Sequence, residues 1–178
     1  MNLDAYQFFD LPSAPRDLAQ VAGTYASTNV LDYGVLSGIP ASASGGGARD
    51  MGVGDNPALK LLVQVSTTFV GGTSLQIAIQ GAIDDLTGNP STFNTCYTSP
   101  AIVTANLNAG SRLFDIDFPR PPDGIAIPRF VRLAYIILGT MTAGKVVAGV
   151  VLDRVDQPYS STDNAILGGY PAGINIAN

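Results

Sequence analysis

Two strongly apolar runs near the C-terminal end of the chain form its clearest pattern of hydrophobic positions. The runs, residues 129–138 and 145–154, are rich in β-branched and aromatic residues, which favour a pleated, half-buried strand. Side chains alternate in direction along a strand, and both faces of each run are mostly apolar. The link between them holds Gly139 and Gly144 and predicts a tight reversal, so that the two runs form a hairpin. A strand that is apolar on both faces is usually covered twice, by a second sheet and by a neighbouring layer or partner.

Alternating apolar and polar positions predict further strands ahead of this hairpin. They lie over residues 24–36, 58–67, 73–83 and 111–118, and a shorter strand over 93–103, interrupted by Pro100, is expected at a sheet edge. Gly71 and Gly72 predict a reversal between the strands on either side of them. The sequence contains no convincing helix. Seven or so strands joined by turns are typical of an all-β protein, either a two-sheet antiparallel β-sandwich or a barrel.

The same pattern divides the chain into an N-terminal arm, 1–20, a β-sandwich domain, 21–155, and a C-terminal extension, 156–178. Both terminal segments are rich in turn residues but keep apolar side chains, so we expect them to extend and to bind a partner chain. The predicted partner-binding residues are Tyr6, Phe8, Phe9, Leu11, Ile166, Leu167, Tyr170, Ile174 and Ile176. Two alternatives stay open. Phe8 and Phe9 could instead cover the core of their own domain, and the extension could dock on its own domain or be disordered.

Charge is scarce along the chain, and this limits the partners that it can have. Charged residues make up 13% of the sequence, about half the usual fraction. A surface so poor in charge suits a protein that neighbours cover, and the alternative is a small soluble protein with a neutral surface. The net charge is −5 and Lys and Arg are not clustered, so no nucleic acid is expected as a partner. No apolar run reaches membrane-spanning length, so no membrane partner is expected.

Few residue types are available for catalysis or metal binding. The chain has no His and a single Cys, so neither a His-dependent nucleophile nor a zinc site of His and Cys can form. Asp115 and Asp117 share one face of a predicted strand about 7 Å apart. That separation would suit an inverting glycosidase, but solvated Asp side chains are the ordinary outcome. Asp84 and Asp85, near Asn89, could bind Ca²⁺, although a solvated turn is favoured. We therefore expect no enzymatic activity, no metal and no cofactor.

Several short segments resemble the Bbp16-type capsid cement proteins of tailed bacteriophages. One is the run ARDMGVGDNP at 48–57, which leads directly into the strand 59–65, and another is IPRFVRL at 127–133. The other similar segments are 3–5, 27–32, 143–146 and 149–153. The resemblance extends over about residues 3 to 155, and each motif is short and apolar. The chain departs from the family in a Ser/Gly-rich insertion before Ala48 and in its tail after Asp156.

The resemblance implies a jelly-roll-like β fold and a position outside an icosahedral shell built of major capsid protein, with an HK97-like fold. Family members clamp neighbouring capsomers as small symmetric homo-oligomers, and for this chain we expect a trimer rather than a dimer. The protein would then be made in the host cytoplasm and reside on the outer capsid surface of the virion. Contacts repeated by symmetry allow modest interfaces to add up.

Two other functions remain as alternatives to a cement protein. One is a carbohydrate-binding β-sandwich module on the virion surface. Trp, the usual aromatic platform for sugars, is absent, but Tyr25, Tyr33, Tyr97 and Tyr159 are available. The other is an Asp-dependent hydrolase built on Asp115 and Asp117.

Overall fold

The computed structural model describes residues 8–34, 59–117 and 128–152 of the chain. These residues form short and long strands and one turn of 3-10 helix, Thr104–Asn106. The strands are β1 (Phe8–Asp10), β2 (Arg16–Asp17), β3 (Gly23–Ala26), β4 (Leu31–Asp32), β5 (Leu59–Gly71), β6 (Ser74–Ala82), β7 (Asn94–Thr98), β8 (Ile102–Val103), β9 (Arg112–Asp117), β10 (Phe130–Leu138) and β11 (Met141–Leu152).

The strands form two antiparallel sheets that pack face to face. In the first sheet the order is β1, β11, β5, β9, and β2 also pairs with β11, so β1 and β2 together make one row. In the second sheet the order is β3, β10, β6, β7, with β4 beside β3 on β10 and β8 beside β7 on β6. Each sheet therefore has four rows, and numbering the rows along the chain gives the orders 1-8-3-6 and 2-7-4-5. That is the arrangement of a jelly roll, which confirms the expected jelly-roll-like sandwich.

The predicted hairpin at 129–154 is wrong in its pairing, although both of its strands exist. β10 belongs to the second sheet and β11 to the first, so the link at Gly139 carries the chain from one sheet to the other. The same holds for β5 and β6, which the glycines at 71 and 72 join. The two links stack on each other, because Gly71 pairs with Met141 and the Thr73 N–H donates to the Leu138 carbonyl at 2.7 Å. Glycines with positive φ allow the chain to turn sharply at both links.

Two shorter predictions are corrected in detail. The strand expected over 24–36 is interrupted between β3 and β4, where Ser27 uses its hydroxyl to accept from the Leu133 N–H and to donate to the Asn29 carbonyl. The edge strand expected over 93–103 is confirmed at the edge, but it is divided into β7 and β8. The break falls at Ser99 and Pro100, where the Ser99 hydroxyl accepts from the Ile77 N–H at 3.0 Å.

The core lies between the sheets and contains the inward side chains of the long strands. Leu61, Val63 and Val65 supply it from β5, and Leu133 and Tyr135 from β10, all at most 1% exposed. These positions alternate along each strand, as the sequence pattern predicts. The alternation on β5 and β10 therefore sets which face of each sheet is buried.

The described part of the predicted N-terminal arm, residues 8–20, is a row of the sandwich and not a separate arm. Phe9 is fully buried in the core, and the Leu18 N–H donates to the Gly144 carbonyl at 2.9 Å. Asp10 is also fully buried, and its carboxylate accepts from the Tyr135 hydroxyl at 2.6 Å and from the Thr28 N–H at 2.8 Å. Burial, together with the negative charge of Asp10, raises the pKa of Tyr135 well above its usual value.

Candidate docking surfaces

The residues predicted to bind a partner do not form a common surface within the described chain. Phe8 and Phe9 are 4% and 0% exposed, because β1 pairs with β11 and turns Phe9 into the core. This corrects their assignment as partner-binding residues and agrees with the alternative that they cover their own domain. Leu11 is partly buried in the turn after β1. Tyr6 and the five predicted residues of the C-terminal extension lie outside the described residues.

One end of the sandwich is built from four stacked links, which we call the Gly139 end. It comprises residues 18–22, 69–74, 102–111 and 138–144. Backbone hydrogen bonds join the links to one another: the Met141 N–H donates to Gln20 at 2.9 Å, and the Thr104 N–H donates to Thr73 at 3.1 Å. Because these bonds join neighbouring links, the four links form one continuous surface.

None of the four segments of the Gly139 end contains a charged residue, and the charges that border it include the exposed pair Asp17 and Lys145. It does carry four exposed apolar side chains, Val21 at 61%, Val70 at 54%, Val103 at 50% and Leu138 at 59%. Leu138 and Val103 flank Ser74 in one row of paired strands, so these two lie close together. The central parts of protein interfaces are depleted of charge and rich in apolar area. This end therefore has the composition of a docking surface.

The Gly139 end could not be predicted from the sequence, because each link, taken alone, has the composition of an ordinary turn. The signal was the lack of charge in segments that turn, where Asp and Lys are common at a protein surface. That lack becomes meaningful only when the fold brings the four segments to one place.

The opposite end is organised around Arg129, and we call it the Arg129 end. The Arg129 guanidinium forms a bidentate pair with Asp32, at 2.9 and 3.0 Å, and also pairs with Asp84. It lies 4.8 Å from the centre of the Phe130 ring. The hydrogen bonds with Asp32 raise the pKa of Arg129. These contacts fasten β4 and the loop that follows β6 to the start of β10.

The loop from β6 to β7 is stiffened by two carboxylates at its base. One oxygen of Asp84 accepts from the N–H groups of Leu86 and Gly88, both at 2.9 Å. One oxygen of Asp85 accepts from the Thr87 N–H at 2.8 Å and from the Thr87 hydroxyl at 2.6 Å. These bonds lower the pKa of Asp85. The loop is therefore held in one shape by its own side chains.

The Ca²⁺ alternative for Asp84 and Asp85 loses its basis in this geometry. Oxygens that would have to face a cation accept backbone N–H groups instead, and Asp84 also pairs with Arg129. Among the described residues there is no group of three or more acidic, Cys or His side chains placed to hold a metal. The segment forms a turn, as the favoured alternative expected, and its own carboxylates hold that turn.

Leu86 stands at the tip of this loop and is 96% exposed, with a positive φ of 74°. A bulky residue in this region is a conformational outlier, because its Cβ approaches the following carbonyl. Beside the loop is a cleft of about 320 Å³, lined in part by Gly81, Ile83, Asn94 and Cys96. None of the residues that line it is charged. We call it the Cys96 cleft.

The tyrosines proposed as a platform for sugars are not all brought together. Tyr25 lies on β3 and Tyr97 on β7, at opposite edges of the second sheet, so they do not share a platform for a sugar. Tyr159 lies outside the described residues. Asp115 and Asp117 lie on β9, the edge strand of the first sheet. In the part of the chain that the structure describes, no helix is long and apolar enough to cross a membrane.

Comparison with known proteins places the chain in a family. No curated protein matches it. The family model described as Bbp16 matches residues 17–150 of the 178 residues. The match runs from β2 almost to the end of β11 and so contains nearly the whole jelly roll. The chain therefore belongs to the Bbp16 family, a family associated with bacteriophages.

Proposed function

We propose that this protein is a structural component of a phage virion, which binds the outside of the shell of major capsid protein and stabilises it. The observation that carries the proposal is the uncharged Gly139 end with its four exposed apolar side chains. Membership of a phage-associated family and the jelly-roll fold support it. The role requires a rigid scaffold with a docking surface and no catalytic residue.

The strength of this docking surface can be estimated from its exposed side chains. Burying a fully exposed Val or Leu is worth about 1.5–3 kcal/mol, so four that are roughly half exposed contribute about 4 kcal/mol. That energy corresponds to a dissociation constant of about 1 mM even before the cost of association. One copy would therefore bind the shell weakly, and a stable clamp needs several linked copies that bind at once. The proposal thus includes a homo-oligomer on the outer surface of the shell.

The experiment places a charge on the docking surface and measures binding to shells. Leu138→Asp and Val103→Asp bury an unpaired carboxylate if the Gly139 end docks, so occupancy on purified shells should fall by about 10-fold or more. Thr98→Asp is the matched control, because Thr98 is exposed on β7 outside the Gly139 end. Cosedimentation with shells that lack the protein measures occupancy. Equal occupancy of all three variants and the wild type would overturn the proposed surface.

Stabilisation of the shell is tested separately. Particles with and without the protein are heated, and DNA release is followed with an intercalating dye. We expect release at a lower temperature without the protein. If bare particles withstand heat equally well, the protein binds the shell without stabilising it, and the proposed function is wrong.

A further inference from the structure

The loop at the Arg129 end presents an apolar tip that the described residues of its own chain do not cover. Leu86 is 96% exposed, although β6, the strand from which the loop leaves, is largely buried. Single exposed apolar residues are common on surfaces and need no explanation. Leu86 differs because it also holds a positive φ of 74°, a conformation that costs a bulky residue free energy. Asn or Gly would relieve that cost.

The loop cannot fold its tip back onto the protein. The Leu86 N–H is bonded to Asp84, and the Asp84 carboxylate is fixed in turn by Arg129. On the far side of the tip, the Asp85 N–H donates to the Asn89 carbonyl at 3.0 Å. A strained residue that is held outward by its surroundings indicates a contact with another molecule.

The Cys96 cleft begins directly at the base of the same loop. Ile83 enters the loop and Ser91 leaves it, and both line the cleft. Pro128 and Cys96 pack closely over Gly81 in its wall, where an added Cβ would meet Pro128 at 2.6 Å and the Cys96 sulfur at 3.2 Å. Its rim has uncharged hydrogen-bond donors in Ser91, Thr92 and Asn94.

We infer that Leu86 of one copy enters the Cys96 cleft of a second copy, and that the second copy's Leu86 enters the first in return. The inference rests on the proposed function, since it names the contact that links the copies of the clamp. A two-fold axis lets the tip of each copy meet the cleft of the other, so the inference favours a dimer over the trimer expected from the sequence. In this arrangement the exposed Asp85 carboxylate beside the tip would accept hydrogen bonds from the uncharged rim of the other copy.

This contact has a geometric consequence for the clamp. β10 runs the length of the second sheet from the Arg129 end to the Gly139 end. Copies joined at their Arg129 ends leave both Gly139 ends uncovered. A pair then carries two weak docking surfaces on one rigid body, and binding of the first raises the effective concentration of the second.

The first test measures the mass of the purified full-length protein without any shells. Light scattering over a range of concentrations should give an oligomer for the wild type. Leu86→Asp should raise its dissociation constant by about 10-fold or more, since a carboxylate would enter an uncharged cleft. Val70→Asp is the matched control, because Val70 is also exposed but lies at the Gly139 end, and its mass should equal that of the wild type.

The second test joins the two copies covalently. Leu86→Cys places a thiol that copper phenanthroline can oxidise with Cys96 of the other copy, with both protons and two electrons passing to the oxidant. We expect a covalent dimer in non-reducing gels and a peptide linking positions 86 and 96 between chains. The wild type and the double variant Leu86→Cys with Cys96→Ser should lack that linkage.

Three results would overturn the inference. They are a wild type that is monomeric at all concentrations, a Leu86→Asp variant with the wild-type mass, and a disulfide that forms only within one chain. A Leu86→Asp variant that keeps its oligomer but loses shell binding would instead assign the tip to the shell. Failure of the proposed function can be told apart from failure of this inference. The proposed function fails if Leu138→Asp binds shells as well as the wild type does, whatever the oligomer mass that light scattering gives.

Discussion

Removal of one buried oxygen tests whether the N-terminal row is part of the folding unit. Tyr135 lies on β10 with its side chain fully buried, and its hydroxyl donates to the Asp10 carboxylate at 2.6 Å. Tyr135→Phe keeps the ring and deletes only this donor. Asp10, which is fully buried on β1, then still accepts from the Thr28 N–H at 2.8 Å.

The expected loss follows from the charge and burial of the acceptor. A hydrogen bond to a charged group contributes about 1.5–3 kcal/mol, and a buried carboxylate that loses a donor is not rehydrated by solvent. We expect Tyr135→Phe to lower the free energy of unfolding by about 2–3 kcal/mol. For a chain of 178 residues, that corresponds to a melting temperature lower by about 4–12 °C.

The assay is urea unfolding of the isolated protein, and the chain offers a matched control. The Tyr25 hydroxyl donates to the Val21 carbonyl at 3.0 Å near the surface, so Tyr25→Phe should cost less than about 1 kcal/mol. A cycle with Asp10→Asn then isolates the coupling between Tyr135 and Asp10. Equal losses for the two Tyr→Phe variants would refute the reasoning, because burial of the acceptor would then have no effect.

Three further predictions concern the same fold. The pKa of Tyr135 is higher in the folded chain than in the unfolded chain. The free energy of unfolding should therefore be undiminished below about pH 10 and should fall as the pH rises further. Urea titrations from pH 8 to 11 should show a shallower fall for Tyr135→Phe than for the wild type. Phe9→Ala should lower the free energy of unfolding of the isolated protein by about 3–5 kcal/mol. A loss near zero would mean that Phe9 belongs to an arm outside the folded domain. Leu86→Asn should raise stability by about 1 kcal/mol and still weaken self-association, which calorimetry and light scattering can separate.

The long strands could be predicted from the sequence because their inward positions alternate without interruption. Leu61, Val63 and Val65 on β5, and Leu133 and Tyr135 on β10, all enter the core. In such a strand a shift of one residue would turn the whole apolar set to the other face. The local pattern and the tertiary packing therefore agree, and the all-β sandwich follows.

The partner of each strand could not be predicted in the same way. Glycines at 71, 72 and 139 indicate that the chain reverses, but not whether the next strand returns to the same sheet. At both corners it enters the other sheet. The contact between the two links, shown by the hydrogen bond from the Thr73 N–H to the Leu138 carbonyl, decides which sheet the next strand enters. Contacts between segments that are distant in sequence leave no local pattern from which to predict them.

The candidate docking surfaces could not be predicted from the sequence for a related reason. Phe8 and Phe9 fit either an arm or a core, and only pairing of β1 with β11 decides between them. Leu86 gave no signal, because a leucine between Asp85 and Thr87 is unremarkable until its φ and exposure are known. The surfaces depend on which segments meet, and the fold alone determines that.

Amide hydrogen exchange of the protein on shells, compared with the free protein, tests the central claim most directly. The account predicts slower exchange on binding in 18–22, 69–74, 102–111 and 138–144, the four segments of the Gly139 end, which carry Val21, Val70, Val103 and Leu138. Exchange at these segments that is as fast on the shell as off it, with protection elsewhere, would contradict the account.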